Sequence, residues 1–421
     1  MAAIEVSGCG AITPIGLGIN AFKDALKNGK SNFSIKEFIH GEELFKFPFA
    51  LIEPFDLRQK IAELELPEDV SKKAGRYRNI SLGTSYAIFC ALEAWKNADL
   101  FNSAIDSERI AIISGGSNTQ LQDSLDIHQK YNEKMKFMNP NYAVNLFDTD
   151  VNGVLSELLN IKGEGYSVGG ASASSNVALI HAQRLLSAGF YDAVLVVAPM
   201  INLSLFEYQS FSNLGAMSLL SDELSPAELC RPFDKGHRGF VYGQNTGCIL
   251  LETPESASQR SRKNKVAISG GGCSLDANRN PNPSVEGESR AMRNALKSAE
   301  VDPGQIDYIN LHGTASALGD ETELSAVKLS GLKPRFVNST KSLIGHGLTA
   351  AALIEAIASI IQIEEGFIHQ SNNMTNPMES ELNFPTKGAV KADISYALSN
   401  GFGFGGINTS ILLENLSQTK K

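Results

Sequence analysis

Two histidines sit where chemistry can be done. Residues 311–323 read LHGTASALGDETE after the strand-like IDYIN, which puts His312 at a strand end beside glycine and hydroxyl residues. Residues 339–355 read STKSLIGHGLTAAALIE, which puts Lys341 and His346 on a glycine-containing loop ahead of a helix. A lone histidine is more often structural, but two of the seven in such loops is a stronger coincidence. A third segment, GEGYSVGGASASSNVALIHAQRLLSAGF (163–190), runs from a β-prone stretch through Gly169-Gly170 and small residues into a helical pattern. Ser172 stands at that turn, where a helix N-terminus offers unpaired N–H groups and the positive end of its dipole. A run of small residues capping a helix explains the pattern equally well. The segment also lacks the last glycine of the hydrolase elbow GxSxG. A fourth segment, SNGFGFGGINTS (399–410), packs four glycines around Phe402 and Phe404. It reads either as a tightly turned backbone with aromatic gates or as a buried hairpin.

The elements that must hold these loops are legible as well. Short β-rich runs at 4–10, 109–117, 192–200, 265–272 and 307–314 each end in glycine or a small polar residue. Helical patterns lie between them: SLGTSYAIFCALEAWKNA, SSNVALIHAQRLLSAG, ESRAMRNALKSAE and LTAAALIEAIASIIQIEEG. Continuous apolar strands alternating with helices predict α/β architecture, with buried sheets covered by helices. The chain also repeats itself. IEVSGCG near residue 4 resembles VAISGGG near 266, and NTGCILLE (245–252) resembles NTSILLE (408–414). Two halves follow, 1–255 and 256–421, joined through the polar TPESASQRSRKNK, with the extra length of the first half taken up by insertions.

Composition narrows the function classes. The 421 residues carry 37 basic and 46 acidic side chains, a net charge of −9, and 43% are apolar. That supports a sizeable core and argues against a disordered chain or a non-specific nucleic-acid binder. Five scattered cysteines (Cys9, Cys90, Cys230, Cys248, Cys273) show no CxxC spacing, so neither a zinc site nor a disulfide framework is expected. The N-terminus shows no signal-peptide pattern. The apolar stretch 350–363 is interrupted by Glu355 and is shorter than the ~20 residues that span a bilayer. A cytoplasmic protein without a membrane span is the expectation.

The four segments, taken in order, resemble the ketosynthases, the β-ketoacyl-ACP condensing enzymes of fatty-acid and polyketide synthesis. RPFDKGHRGFVYGQNTGCILLE (231–252) is similar to that family's RPFD…GFV.GEG.G block, and HGTASALGD to HGTGT..GD. STKSLIGH is similar to STKS..GH, SNGFGFGGIN to SN.FGFGG.N, and VSGCGAITPIG (6–16) to the V.TG.G..TP.G opening. The resemblance spans essentially the whole chain. It implies the thiolase fold, two similar halves in a five-layer αβαβα arrangement, and a homodimer.

Departures from the family pattern carry the functional expectation. Where the family has DTACSSS this chain has GGASASS, so Ser172 occupies the nucleophilic cysteine position. A helix N-terminus can help ionise a thiol, but a serine hydroxyl is not activated that way. Gln244 replaces a usual glutamate, and Ser316 replaces the second threonine of HGTGT. With Thr314 and Phe402, Ser316 would still contact a pantetheine arm. The resemblance assigns His312 and His346 as N–H donors to the oxygen of a thioester enolate. It makes Lys341, paired with Glu355, the group that sets their geometry and tautomer. The backbone N–H groups at Ser172 and Phe404 would form an oxyanion hole.

Histidines without the cysteine imply decarboxylation without condensation. The chain thus resembles the ketosynthase-like decarboxylases of polyketide β-branching cassettes, which convert malonyl-ACP to acetyl-ACP for an HMG-CoA-synthase-like partner. No metal or other cofactor is implied beyond the phosphopantetheine that the substrate carries. Lys72, Lys73 and Arg76, with Arg78, form the densest basic cluster, a candidate docking patch for an acidic carrier protein. Two other readings stay open. One is a non-catalytic partner subunit of chain-length-factor type; the other is a serine acyltransferase or hydrolase using Ser172, which needs a histidine base and a third group to orient it.

Overall fold

The computed structural model describes residues 3–418. Ten strands form its main sheet path. The first half contributes β1 (Ile4–Thr13), β2 (Ile110–Gly115), β3 (Gly165–Val168), β4 (Ala193–Ala198) and β5 (Thr246–Glu252). The second contributes β6 (Val266–Leu275), β7 (Tyr308–Asn310), β8 (Phe336–Asn338), β9 (Tyr396–Gly403) and β10 (Ile407–Asn415). Their spatial order is β3-β2-β4-β5-β1-β6-β10-β9-β7-β8, so each half repeats the other outward from the β1–β6 seam. In each half the outer strands pair in parallel and the inner ones antiparallel. The seam itself is narrow, with Ile4 opposite Ile268 and Glu5 opposite Ala267.

Helices complete five layers. α1 (Leu82–Asn97) packs on β1 and β5, while α3 (Val285–Ala299) packs on β6 and β10. α4 (Ala317–Leu329) lies against α3. Between the two sheet halves, α2 (Ser174–Ser187) and α5 (Ala351–Glu365) pack on each other and on strands of both halves. Every residue of α5 from Ala351 to Ile363 is buried, as expected of a helix apolar on all sides. This is the thiolase fold. Among the described residues no helix is long and apolar enough to cross a membrane.

The repeated glycine strings have a physical cause. A Cβ on Gly10 of β1 would lie 1.9 Å from the Cys90 carbonyl oxygen of α1. A Cβ on Gly272 of β6 would lie 2.0 Å from the Ala291 oxygen of α3. Each outer helix touches its strand's backbone, and only glycine permits that approach. Both strands also break register at the shared serine position, between Val6 and Gly8 and between Ile268 and Gly270. The longer first half adds an antiparallel hairpin (Phe33–His40 with Glu43–Ala50) and helices Leu121–Tyr131 and Leu205–Asn213. We propose the division near residue 255 as the domain boundary; that residue lies in the short helix Pro254–Gln259 that opens the connector.

Candidate active site

The four segments singled out above meet at one cavity of about 220 Å³, lined by Ser172, His312, Thr314, His346, Phe402 and Phe404 among others. Each arrives on a loop that leaves a strand end. None of the five cysteines lines this cavity.

Ser172 lies in the turn Ala171–Ala173 that leads into α2. Ala171 has φ +49°, in the left-handed region that a residue with a Cβ seldom adopts. Ser174 Oγ braces the turn, accepting from the Gly170 amide at 2.9 Å and donating to the Ala171 carbonyl at 2.7 Å. Ser172 Oγ then lies 2.9 Å from His346 Nε2. Gly403 explains how the FGFGG turn can join the site. A Cβ there would fall 2.3 Å from the Gly170 oxygen and 3.2 Å from the Ser172 nitrogen. The segment is indeed a hairpin, β9 to β10, with Phe402 buried and Phe404 at its half-exposed tip. The hairpin reading of its glycines holds.

His312 is positioned by charge on one side and by carboxylates on the other. Lys341, fully buried, donates to His312 Nδ1 at 3.3 Å, to the His312 carbonyl at 2.6 Å, and to Glu355 Oε1. An accepting Nδ1 leaves the ring proton on Nε2, so this neutral tautomer presents an N–H donor. Burial, then the neighbouring Lys341 ammonium, then His346 hold His312 well below the ordinary imidazole value. Burial and Lys341 do the same to His346. The two rings meet edge to face with centroids 5.5 Å apart, and Phe402 and Phe240 pack edge-on against His312 and His346 respectively. Burial lifts Glu355 to about 7 against the pull of Lys341.

Two buried carboxylates from α4 hold the HGT loop. Glu323 accepts from the His312 and Gly313 amides at 2.8 and 2.9 Å and from Asn400 at 3.0 Å. Asp320 accepts from the Thr314 and Ala315 amides at 3.0 and 3.1 Å, and from Phe233 of the RPFD segment at 2.7 Å. Burial raises both, Asp320 to about 7. The sequence reading quoted this motif without giving either residue a part. Their three-residue spacing on one helix face was the available signal. Thr314 Oγ1 and Ser316 Oγ are 2.9 Å apart in the cavity wall.

Other candidates lie elsewhere. Gln244, which the sequence left without a role, accepts from the Ile52 amide through its side-chain oxygen at 3.0 Å and donates its backbone N–H to the Ala50 carbonyl. It pins the end of the inserted hairpin and lines no part of the cavity. Lys72 and Lys73 sit on the helix Glu68–Ala74 and Arg76 just beyond it. None of the three lines the cavity, and Lys72 pairs with Glu68 at 2.6 Å on an open surface.

Residues 1–257 match the family model for the beta-ketoacyl synthase N-terminal domain, and residues 266–375 match the C-terminal one. The chain is 34% identical over 415 residues to a protein of Bacillus subtilis (strain 168) named polyketide biosynthesis malonyl-ACP decarboxylase PksF, covering 99% of this chain and 97% of that one. It is 29% identical to 3-oxoacyl-[acyl-carrier-protein] synthase 2 of Vibrio harveyi, covering 99% of each. A solved beta-ketoacyl synthase from Burkholderia phymatum STM815 superposes with a TM-score of 0.85 at 25% identity, over 99% of this chain and 100% of that one. The ishigamide ketosynthase/chain length factor superposes with a TM-score of 0.83 at 26% identity, over 98% and 99%. With both halves matched by its family models and a full-length relative above 30% identity, this chain belongs to the β-ketoacyl synthase family.

Proposed function

We propose that the protein is an enzyme that decarboxylates malonyl-ACP to acetyl-ACP and does not condense it. The observation that carries this reading is the pairing of a serine at the nucleophile position with two neutral histidines facing one cavity. Loss of CO₂ from a malonyl thioester leaves an enolate with charge on the thioester oxygen. His312 Nε2–H and His346 Nε2–H would donate to that oxygen, with the Ser172 and Phe404 amides as further donors. One preorganised donor of this kind contributes about 2.7–4 kcal/mol to the transition state. Lys341 and Glu355 hold His312 in its donating tautomer. Thr314, Ser316 and Phe402 would line the path of the pantetheine arm. The reaction needs no metal or organic cofactor. The Bacillus subtilis relative, whose name carries the same activity, supports the reading.

The setting follows from the same reading. An acyl carrier protein is the partner, the protein is a cytoplasmic homodimer, and an HMG-CoA-synthase-like enzyme uses the acetyl-ACP for β-branching. Incubation with malonyl-ACP followed by mass analysis of the carrier tests it: acetyl-ACP is expected, and unchanged malonyl-ACP would favour a non-catalytic subunit.

One observation favours a second reading, a serine acyltransferase or hydrolase. The Ser172 Oγ to His346 Nε2 distance of 2.9 Å is that of a nucleophile and its base. The third member is missing, because His346 Nδ1 has no hydrogen-bond partner among the described residues. A stable acyl adduct on Ser172 would favour this reading over decarboxylation.

A further inference from the structure

We propose that the Ser172 hydroxyl is the proton donor that quenches the enolate, delivering its proton to one face of the substrate's C2. This rests on the decarboxylase reading and adds a step that reading leaves open. When the bond between C2 and the carboxylate breaks, its electron pair moves into the enolate and CO₂ leaves. Acetyl-ACP forms only when C2 then takes a proton.

The cavity offers few sources for that proton. His312 Nδ1 already accepts from Lys341, so the ring's one proton is on Nε2, which faces the enolate oxygen in the decarboxylase reading. His346 Nε2–H faces the same oxygen in that reading. Both rings are hydrogen-bond donors to the oxygen rather than proton donors to carbon. The Thr314 and Ser316 hydroxyls are bonded to each other, which occupies one of their two protons.

Ser172 remains, and its position fits. Its Oγ is 2.9 Å from His346 Nε2. An enolate oxygen held by that same nitrogen is two bonds from C2, which brings C2 beside the hydroxyl. The left-handed Ala171 and the close-packed Gly403 hold the turn that aims Ser172 there. Transfer runs downhill, because the C–H bond formed next to a thioester is a weaker acid than an alcohol. Ser172 is only partly buried, so solvent water can return a proton to Oγ. The hydroxide left behind takes up CO₂, and malonyl-ACP plus water becomes acetyl-ACP plus bicarbonate.

A positioned donor makes protonation stereospecific, and that is the readout. Malonyl-ACP bearing tritium at one C2 position is turned over briefly in deuterium oxide, and the configuration of the chiral methyl group in the acetyl product is measured. Wild type should give one predominant configuration. S172A should give nearly equal amounts of both. S172T, which keeps a hydroxyl at the same point, should recover the bias. Thermal melting of the variants shows whether each is folded. A racemic wild-type product, an S172A product with wild-type configuration, or a racemic S172T product would each overturn the proposal. A wild type that makes no acetyl-ACP would instead defeat the decarboxylase reading on which it rests.

Discussion

Lys341 Nζ lies 3.3 Å from His312 Nδ1 and 2.6 Å from the His312 carbonyl while pairing with Glu355, so one buried cation sets both the ring's tautomer and its backbone. Removing it should expose two separate roles. K341M leaves Glu355 buried without its counter-ion, a change that costs about 3–5 kcal/mol when one partner of a buried pair is lost. It also frees His312 to adopt either tautomer. The double variant K341M/E355L should recover most of the lost melting temperature but little of the decarboxylation rate. Equal recovery of both would mean that the pair serves stability alone.

The same cation predicts how His312 titrates. Burial and Lys341 hold its folded-state value well below 6.5, and burial leads for His346 too. Their imidazole NMR signals should stay those of neutral rings as the pH falls through 6.5. In K341M the His312 titration should move up toward the ordinary value, because the neighbouring cation that favours the neutral ring is gone. Below pH 6.5 the unfolded chain binds protons at these histidines that the folded chain refuses, so their contribution to stability is present above 6.5 and is lost as the pH falls toward their folded values. A His312 ring that charges near 6.5 in wild type would contradict this arrangement.

Much of this site was legible because its chemistry requires particular side chains in particular loops. Ser172, His312, Lys341 and His346 each stand where a strand run stops and a helix pattern starts. The duplication was legible for a related reason: Gly10 and Gly272 meet the same backbone contact in each half, so the same short string recurs. Asp320 and Glu323 were not read, because a carboxylate that accepts backbone N–H groups has no pattern of its own beyond its spacing. Gln244 was opaque for the same cause. The strand Phe336–Asn338 escaped notice because three residues are too few to show a period. Local charge density marked Lys72, Lys73 and Arg76, yet charge along the chain says nothing of distance to a cavity.

Gly403 gives a prediction that needs no titratable group. A methyl there would fall 2.3 Å from the Gly170 oxygen and press on the Ser172 nitrogen. G403A must push the FGFGG turn away from Ser172, separating the two amides that would share the oxyanion. A loss of about 10²-fold in kcat is expected, the scale of one oxyanion donor. A G403A variant with wild-type kcat would remove these amides from the mechanism.

Docking of the carrier can be tested through salt. If Lys72 and Arg76 contact an acidic partner, K72E/R76E should raise KM for malonyl-ACP at low ionic strength, and the gap should close as salt is added. The melting temperature should hardly move, since Lys72 pairs with Glu68 on an exposed helix. An unchanged KM at low salt would place the docking surface elsewhere.

The ranking of three single substitutions separates the two catalytic readings most directly. Enolate stabilisation by imidazole donors predicts that H312A and H346A each lower the rate of acetyl-ACP formation by about 10²–10³. S172A keeps the backbone amide at that position and should slow the reaction far less than either. Nucleophilic catalysis predicts the reverse order, because Ser172 Oγ would then form the covalent intermediate while His312 merely packs beside it. The His346 variant is damaging in both cases, since its Nε2 faces Ser172 at 2.9 Å and would serve either as the donor to an oxyanion or as the base. The comparison that decides is therefore His312 against Ser172. Rates of CO₂ release and acetyl-ACP formation, measured together on folded variants, give it without reference to any downstream partner. If S172A proves slower than H312A, the hydroxyl outranks the imidazole donor, and a stable acyl adduct on Ser172 then separates a nucleophile from a proton donor.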